Sequence, residues 1–144
     1  MSGMAERDSD QVNDSFVTEM LEADQSRERL GIWGTEVGQG QATAHLTVES
    51  DMINGIEVIH GGFVFSLADY AFACAANSVL SRVATVDAQI SFLSPARAGE
   101  ILVAEAVVSF SGGRRIIVDV TVRSGERTIA LFRGTGRTTG EPST

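Results

Sequence analysis

From Gly62 to about Leu80 the chain has almost no polar face: Phe63, Val64, Phe65, Leu67, Ala68, Tyr70, Ala71, Phe72, Ala73, Cys74, Ala75 and Ala76 cover every side of a helix. A helix that is apolar all round is buried, so the rest of the chain has to wrap it. One residue breaks the pattern. Asp69 stands near the middle, with Phe65, Ser66, Phe72 and Ala73 one turn away and no base among them. An unpaired carboxylate costs several kcal/mol to bury. It must face a cleft, an interface or a solvated seam, or have a pKa shifted for use.

His60-Gly61-Gly62 leads directly into this helix. Two glycines remove the side chains that would keep a ligand off the backbone. The first amides of a helix lack internal partners and carry partial positive charge, which suits an anion or a polarised carbonyl oxygen. Taken singly, the glycine pair reads as a tight turn and Asp69 as a solvated acid. Together they supply an oxyanion donor and a carboxylate, the pair that acyl chemistry requires.

The remaining residues alternate as strands do. An amphipathic helix is expected from Ser9 or Asp10 to about Leu30-Gly31, carrying Val12, Phe16 and Met20 on one face. Ile32 to Val37 and Gln41 to Val48 form a hairpin turning at Gly38-Gln39-Gly40. Ala42, Ala44, Leu46 and Val48 face one side of it and Thr43, His45 and Thr47 the solvent side. Asp51 to Gly55 is a loop, with Asn54-Gly55 as its turn. After the helix, Ala84, Val86, Ala88, Ile90 and Phe92 alternate with Thr85, Asp87, Gln89 and Ser91, and Pro95 and Gly99 mark a turn. Leu102, Ala104, Ala106, Val108 and Phe110 line one face of a long strand, and Gly112-Gly113 turns it. Ile116, Val118, Val120 and Val122 oppose Arg115, Asp119, Thr121 and Arg123. A last strand spans about Arg127 to Arg137. The expected class is α+β, a five- to six-stranded antiparallel sheet around one long helix with an extra N-terminal helix. A single domain over 10–138 follows, with residues 1–9 disordered and 139–144 a loose tail.

A formal charge of −8 disfavours nucleic acid as a partner but leaves room for an anionic ligand at a local basic patch. The one cysteine, Cys74, has no disulfide partner within the chain and reads as a core thiol in a reducing compartment. The first residues show no apolar signal segment, and Asp69 interrupts the longest apolar stretch, so no membrane span is expected. Together these point to the cytoplasm.

The run His60-Gly61-Gly62, Phe65, Leu67-Ala68-Asp69, Ala71-Phe72-Ala73 and Asn77-Ser78 resembles the signature of hotdog-fold acyl-CoA thioesterases, nearest the phenylacetate-degradation (PaaI-type) subfamily. Thr85 to Glu100 and Ala130 to Gly134 resemble that family's next strand and turn and its last strand. The resemblance implies the hotdog fold and hydrolysis of an acyl-CoA thioester, without a metal and with coenzyme A only as part of the substrate. It implies that the Gly61 amide polarises the thioester carbonyl and that Asn54 also contacts that oxygen. Asp69 would act as general base or nucleophile, Thr85 would help hold the water, and His60 would position. Gly62, Phe65 and Tyr70 would meet substrate, with Tyr70 standing where relatives often have a small residue or threonine and so reshaping the acyl pocket. The site would form across a homodimer, Asp69 of one subunit facing Gly61 of the other, and two dimers would pair.

Two other readings stay open on sequence. A hotdog hydratase or dehydratase could use His60 with Asp69, and an acyl-CoA-binding protein could keep the pocket without turnover. Asp87 is a second acid that could serve as base. The acyl group itself, aryl-acetyl or hydroxyphenylacetyl by resemblance, depends on side chains that sequence alone does not place.

Overall fold

A computed structural model of the chain describes residues 16–140. Helix α1 covers residues 16–23 of the described part, and the start expected at Ser9 or Asp10, with Val12, lies outside it. The single N-terminal helix of the sequence reading is in fact two. Asp24 ends α1, and its Oδ1 accepts from the amides of Ser26 (2.9 Å) and Arg27 (3.3 Å) and from the Ser26 hydroxyl (2.6 Å). That cap starts a separate short helix α2, Ser26–Leu30, which closes on Gly31 at φ 75°.

Strands β1 (Ile32–Gly38) and β2 (Gln41–Thr47) form the expected hairpin, and a 3-10 turn (Ser50–Met52) leads to helix α3, Gly61–Asn77. Four strands follow: β3 (Val83–Phe92), β4 (Ile101–Gly112), β5 (Arg115–Ser124) and β6 (Arg127–Thr138). The sheet runs β1-β2-β4-β5-β6-β3, every neighbouring pair antiparallel. It curls around α3, which touches all six strands. The inward rows of β2, β4 and β5 (Ala42, Ala44, Leu46; Leu102, Ala104, Ala106; Ile116, Val118, Val120, Val122) pack on Leu67, Ala68, Ala71, Phe72 and Ala75.

Helix α3 stops at Asn77, short of the expected Leu80, because two side chains take over its last carbonyls. Asn77 Nδ2 donates to the Ala73 carbonyl (2.8 Å) while its Oδ1 accepts from Val83 N–H (2.9 Å), so one amide ends the helix and starts β3. Ser78 Oγ donates to the Ala75 carbonyl (2.6 Å) and accepts from Gly40 N–H (2.9 Å), tying the helix end to the first hairpin.

Two bulges overturn parts of the alternation read from sequence. In β3, Thr85 pairs with Gly136 and Asp87 with Thr135, leaving Val86 as an extra residue. A single inserted residue reverses which side chains face in. Val83 and Thr85 therefore point toward α3 along with Ala88, Ile90 and Phe92, while Ala84 and Val86 are exposed. In β4, Val108 pairs with Val118 and Phe110 with Ile117, so Ser109 is the extra residue. Phe110 is turned out, 54% exposed rather than facing the core, and Ser111 takes the inward position.

Candidate active site

The residues singled out in sequence fall at two places along α3. At its start, His60 is the N-cap and Phe63 N–H bonds to the His60 carbonyl (3.0 Å), so the Gly61 and Gly62 amides precede the helical ladder. A Cβ on Gly61 would lie 3.0 Å from the Phe92 ring, whereas a Cβ on Gly62 would meet nothing within 4 Å. A methyl at the first position would crowd the Phe92 ring; the second glycine leaves the helix end open to approach. His60 is exposed, and its amide donates to the Met52 carbonyl (2.8 Å), fixing the preceding loop. In that loop Asn54 Oδ1 accepts from Ile56 N–H (2.9 Å) and Val58 N–H (3.3 Å). Its oxygen is thus committed to the turn, which fixes the orientation of the amide's donating end.

Eight residues further on, Asp69 is half-buried and accepts a hydrogen bond from Thr85 Oγ1 (3.0 Å). The β3 bulge is what delivers that hydroxyl. Burial raises the Asp69 carboxyl above its ordinary range, and the Thr85 bond, which favours the ionised form, partly opposes the rise. Asp24, Ser26, Leu30, Phe65, Ser66, Tyr70 and Ala73 complete a cleft of about 240 Å³ around it. Phe65 sits edge-on to Phe132 at 5.5 Å. Tyr70 is a wall of this cleft, but its hydroxyl is turned away, 2.9 Å from Thr35 Oγ1. Burial also raises the Tyr70 hydroxyl and pushes the Cys74 thiol up to about 12, which keeps that thiol protonated and inert.

The rise of an α-helix sets Gly61 and Asp69 about 12 Å apart along the axis. A second cleft, about 470 Å³ and largely apolar, opens at the Gly61 end between Val58, Ile59, Val64, Phe92, Leu93, Ser94, Pro95 and Ile129. Sequence reasoning placed none of these residues in the site. Phe92 to Pro95 could have been found from their place at the end of β3, but only the fold brings them against Gly61. Asp87 is exposed and pairs with Thr135, on the face of the sheet turned away from Asp69. His45 stacks on Trp33 at 4.6 Å, with Nδ1 3.1 Å from the Gly34 carbonyl, a structural place on the outer face. Asn77 closes the helix as described above. Among the described residues no group of three His, Cys, Asp or Glu side chains gathers as a metal site would need.

A six-stranded antiparallel sheet wrapped on one buried helix is the hotdog fold. The family described as "Thioesterase superfamily" matches residues 57–131. The acyl-coenzyme A thioesterase PaaI of Escherichia coli K12 is 42% identical over 117 residues, spanning 80% of this chain and 83% of that protein. The solved E. coli PaaI structure, from the phenylacetic acid degradation operon, superposes with a TM-score of 0.85 at 34% identity over 94% of this chain and 99% of that one. A mutant of the phenylacetic acid degradation protein PaaI of Thermus thermophilus gives 0.77 at 30% identity, over 80% and 99%. The chain therefore belongs to the thioesterase superfamily, in its PaaI-type branch of hotdog acyl-CoA thioesterases, and is an enzyme.

Proposed function

We propose that this enzyme, with residues 10–138 as its one domain, hydrolyses aryl-acyl-CoA thioesters such as phenylacetyl- or hydroxyphenylacetyl-CoA. Its site joins Asp69 of one subunit to the Gly61 amide of a second. One observation carries this reading. An oxyanion donor and a base must both lie about 3 Å from one reacting centre, yet within one chain they stand about 12 Å apart on a single rigid helix. A second copy restores the pair. The unpaired edge of β3, with Val86, Phe92 and Leu93 each about half exposed, is the natural place for that copy to join. Phe65 and Tyr70 offer flat apolar walls beside Asp69, which suit an aryl group. The E. coli and Thermus relatives belong by name to phenylacetic acid degradation. A pairing of two such dimers is part of the same reading.

In the reaction, Asp69 takes a proton from water as the water oxygen bonds to the thioester carbon. Negative charge gathers on the carbonyl oxygen, held by the Gly61 amide with the Asn54 side chain beside it and His60 and Gly62 shaping the approach. The carbon–sulfur bond breaks, and the coenzyme A thiolate leaves with the proton that Asp69 held. If Asp69 instead attacks as nucleophile, the carbon–sulfur bond breaks, the coenzyme A thiolate leaves and an acyl-aspartyl anhydride forms, which water then cleaves. In a single turnover in ¹⁸O-water, label on Asp69 identifies this second route, with water attacking the aspartyl carbonyl. The chemistry asks for no cofactor beyond the substrate's own coenzyme A. Among the described residues no helix is long and apolar enough to cross a membrane. We place the enzyme in the cytoplasm, with its substrate.

Thiol release from phenylacetyl-, hydroxyphenylacetyl-, hydroxybenzoyl-, hexanoyl- and palmitoyl-CoA, with crotonyl-CoA as a hydration control, tests the reading. The aryl-acetyl esters should be turned over fastest, and a preference for palmitoyl would overturn the aryl assignment. Change at the crotonyl double bond without thiol release would instead make the enzyme a hydratase.

Thr85→Val removes a hydrogen bond that favours the ionised Asp69, so it should raise that carboxyl further. A base works only when ionised, so activity falls as pH drops below its pKa. The acid limb of the kcat/KM profile should move to higher pH, with a larger loss near pH 6 than near pH 8. An unmoved limb would separate Thr85 from the reacting acid.

A further inference from the structure

The described residues hold three ion pairs, Arg123–Glu105, Arg127–Glu100 and Arg133–Asp119. Four other arginines gather at the end of the sheet without an acid in ion-pair reach among the described residues: Arg82 before β3, Arg114 and Arg115 at the β4–β5 turn, and Arg137 near the end of β6. Backbone contacts fix their proximity. Arg115 and Arg137 are direct cross-strand partners, and Arg137 pairs with Ala84 on its other side. Thr138 N–H donates to the Arg114 carbonyl (2.9 Å) and Thr139 N–H to the Arg82 carbonyl (3.2 Å). The Arg114 guanidinium donates to the Gly140 carbonyl (2.8 Å), and all four side chains are exposed.

Like charges directly opposite on adjacent strands repel. The chain has 19 acidic residues against 11 basic ones, so acid partners are plentiful, yet no described acid pairs with this cluster. All 11 bases are arginine, the side chain whose planar fork matches phosphate. The cluster lies at the end of the sheet that carries Thr85. Thr85, which bonds Asp69, pairs with Gly136, so Arg137 lies one strand across and one residue along, about 6 Å away through the backbone, with its side chain on the outer face and that of Thr85 on the inner.

We propose that Arg82, Arg114, Arg115 and Arg137 bind the phosphates of the 3′-phosphoadenosine diphosphate end of coenzyme A, the pantetheine arm passing round this end of the sheet to reach Asp69 on its inner face. This rests on the acyl-CoA substrate proposed above. Repulsion within the empty cluster is relieved when phosphate binds, so the cluster contributes to substrate affinity rather than to the fold.

The test compares wild type with Arg115→Gln/Arg137→Gln on phenylacetyl-CoA and on phenylacetyl-N-acetylcysteamine, a thioester without phosphates. KM for the CoA ester should rise about tenfold, an affinity change expected on losing charged contacts. The short ester should show no such change. Adenosine 3′,5′-bisphosphate should inhibit the wild type competitively and the double variant about tenfold more weakly. The melting temperature should hold or rise, because a repulsive pair has gone. An unchanged KM for the CoA ester, or an equal loss on both esters, would overturn the assignment. If wild type cleaves neither ester, the proposed function falls by itself. Calorimetric binding of adenosine 3′,5′-bisphosphate then still decides the cluster: binding lost in the double variant supports the site, and no binding to wild type refutes it.

Discussion

Asp69→Asn should lower kcat/KM for the best aryl-acyl-CoA by about 10²–10⁴-fold, the contribution of a positioned general base, and Asp69→Ala should match it. If Asp69 is the nucleophile the loss should be at least as large. The Asn side chain keeps the size of the acid and can still accept from Thr85, so binding of an unreactive acyl-CoA analogue should survive. A companion effect on stability checks that the loss is chemical. Burial raises the folded-state pKa of Asp69 above its ordinary 3.8, so the folded protein prefers the protonated acid. Its contribution to stability is therefore largest below that ordinary value and is lost as pH rises through the raised one. Asp69→Asn has no charge to desolvate. Its stability relative to wild type should rise across that window and level off above it, followed by thermal melts from pH 4 to 8. A variant that loses both activity and stability at neutral pH would count against a catalytic role. Undiminished turnover in both variants would place the base on another side chain.

The buried helix and its one acid were legible because they rest on composition along a single element, which no neighbouring strand can reverse. The inward rows of β2 and β5 were legible for the same reason: their alternation runs uninterrupted by a bulge in the core span. Alternation failed at Val86 and Ser109, where one extra residue per strand exchanges the faces. The first failure bears on function. By period alone Thr85 belongs on the solvent face beside Asp87; it was the family resemblance that marked Thr85, and the bulge explains how it reaches Asp69. The cap at Asp24 was likewise invisible, because Asp24 reads as one more polar position on an amphipathic helix until its carboxylate is seen accepting three bonds from the next turn. The apolar cleft at Gly61 draws on the loop before α3, the end of β3 and Ile129 of β6, segments whose meeting only the sheet order determines.

The position of Asp69 depends on how tightly α3 seats on β6, and the two glycines of that strand set the seat. Phe72, one turn beyond Asp69, is fully buried, and a Cβ at Gly134 would lie 2.7 Å from its ring; one at Gly136 would press on Val83 and on the same ring. Phe72→Ala should destabilise the protein by about 3–5 kcal/mol through lost burial and the cavity left behind. Gly134→Ala should cost about 1–3 kcal/mol through overpacking. The double variant should cost less than the sum, by about 0.5–3 kcal/mol, because the ring that the new methyl strikes is gone. Urea unfolding at one fixed protein concentration reads all three, since association would otherwise shift the midpoints. Additive losses would mean that the helix and β6 do not share this contact. Gly134→Ala also separates seating from chemistry. It removes no group from the site, but it pushes α3 off the sheet beside the Thr85–Asp69 bond, so kcat should fall even where the protein remains fully folded.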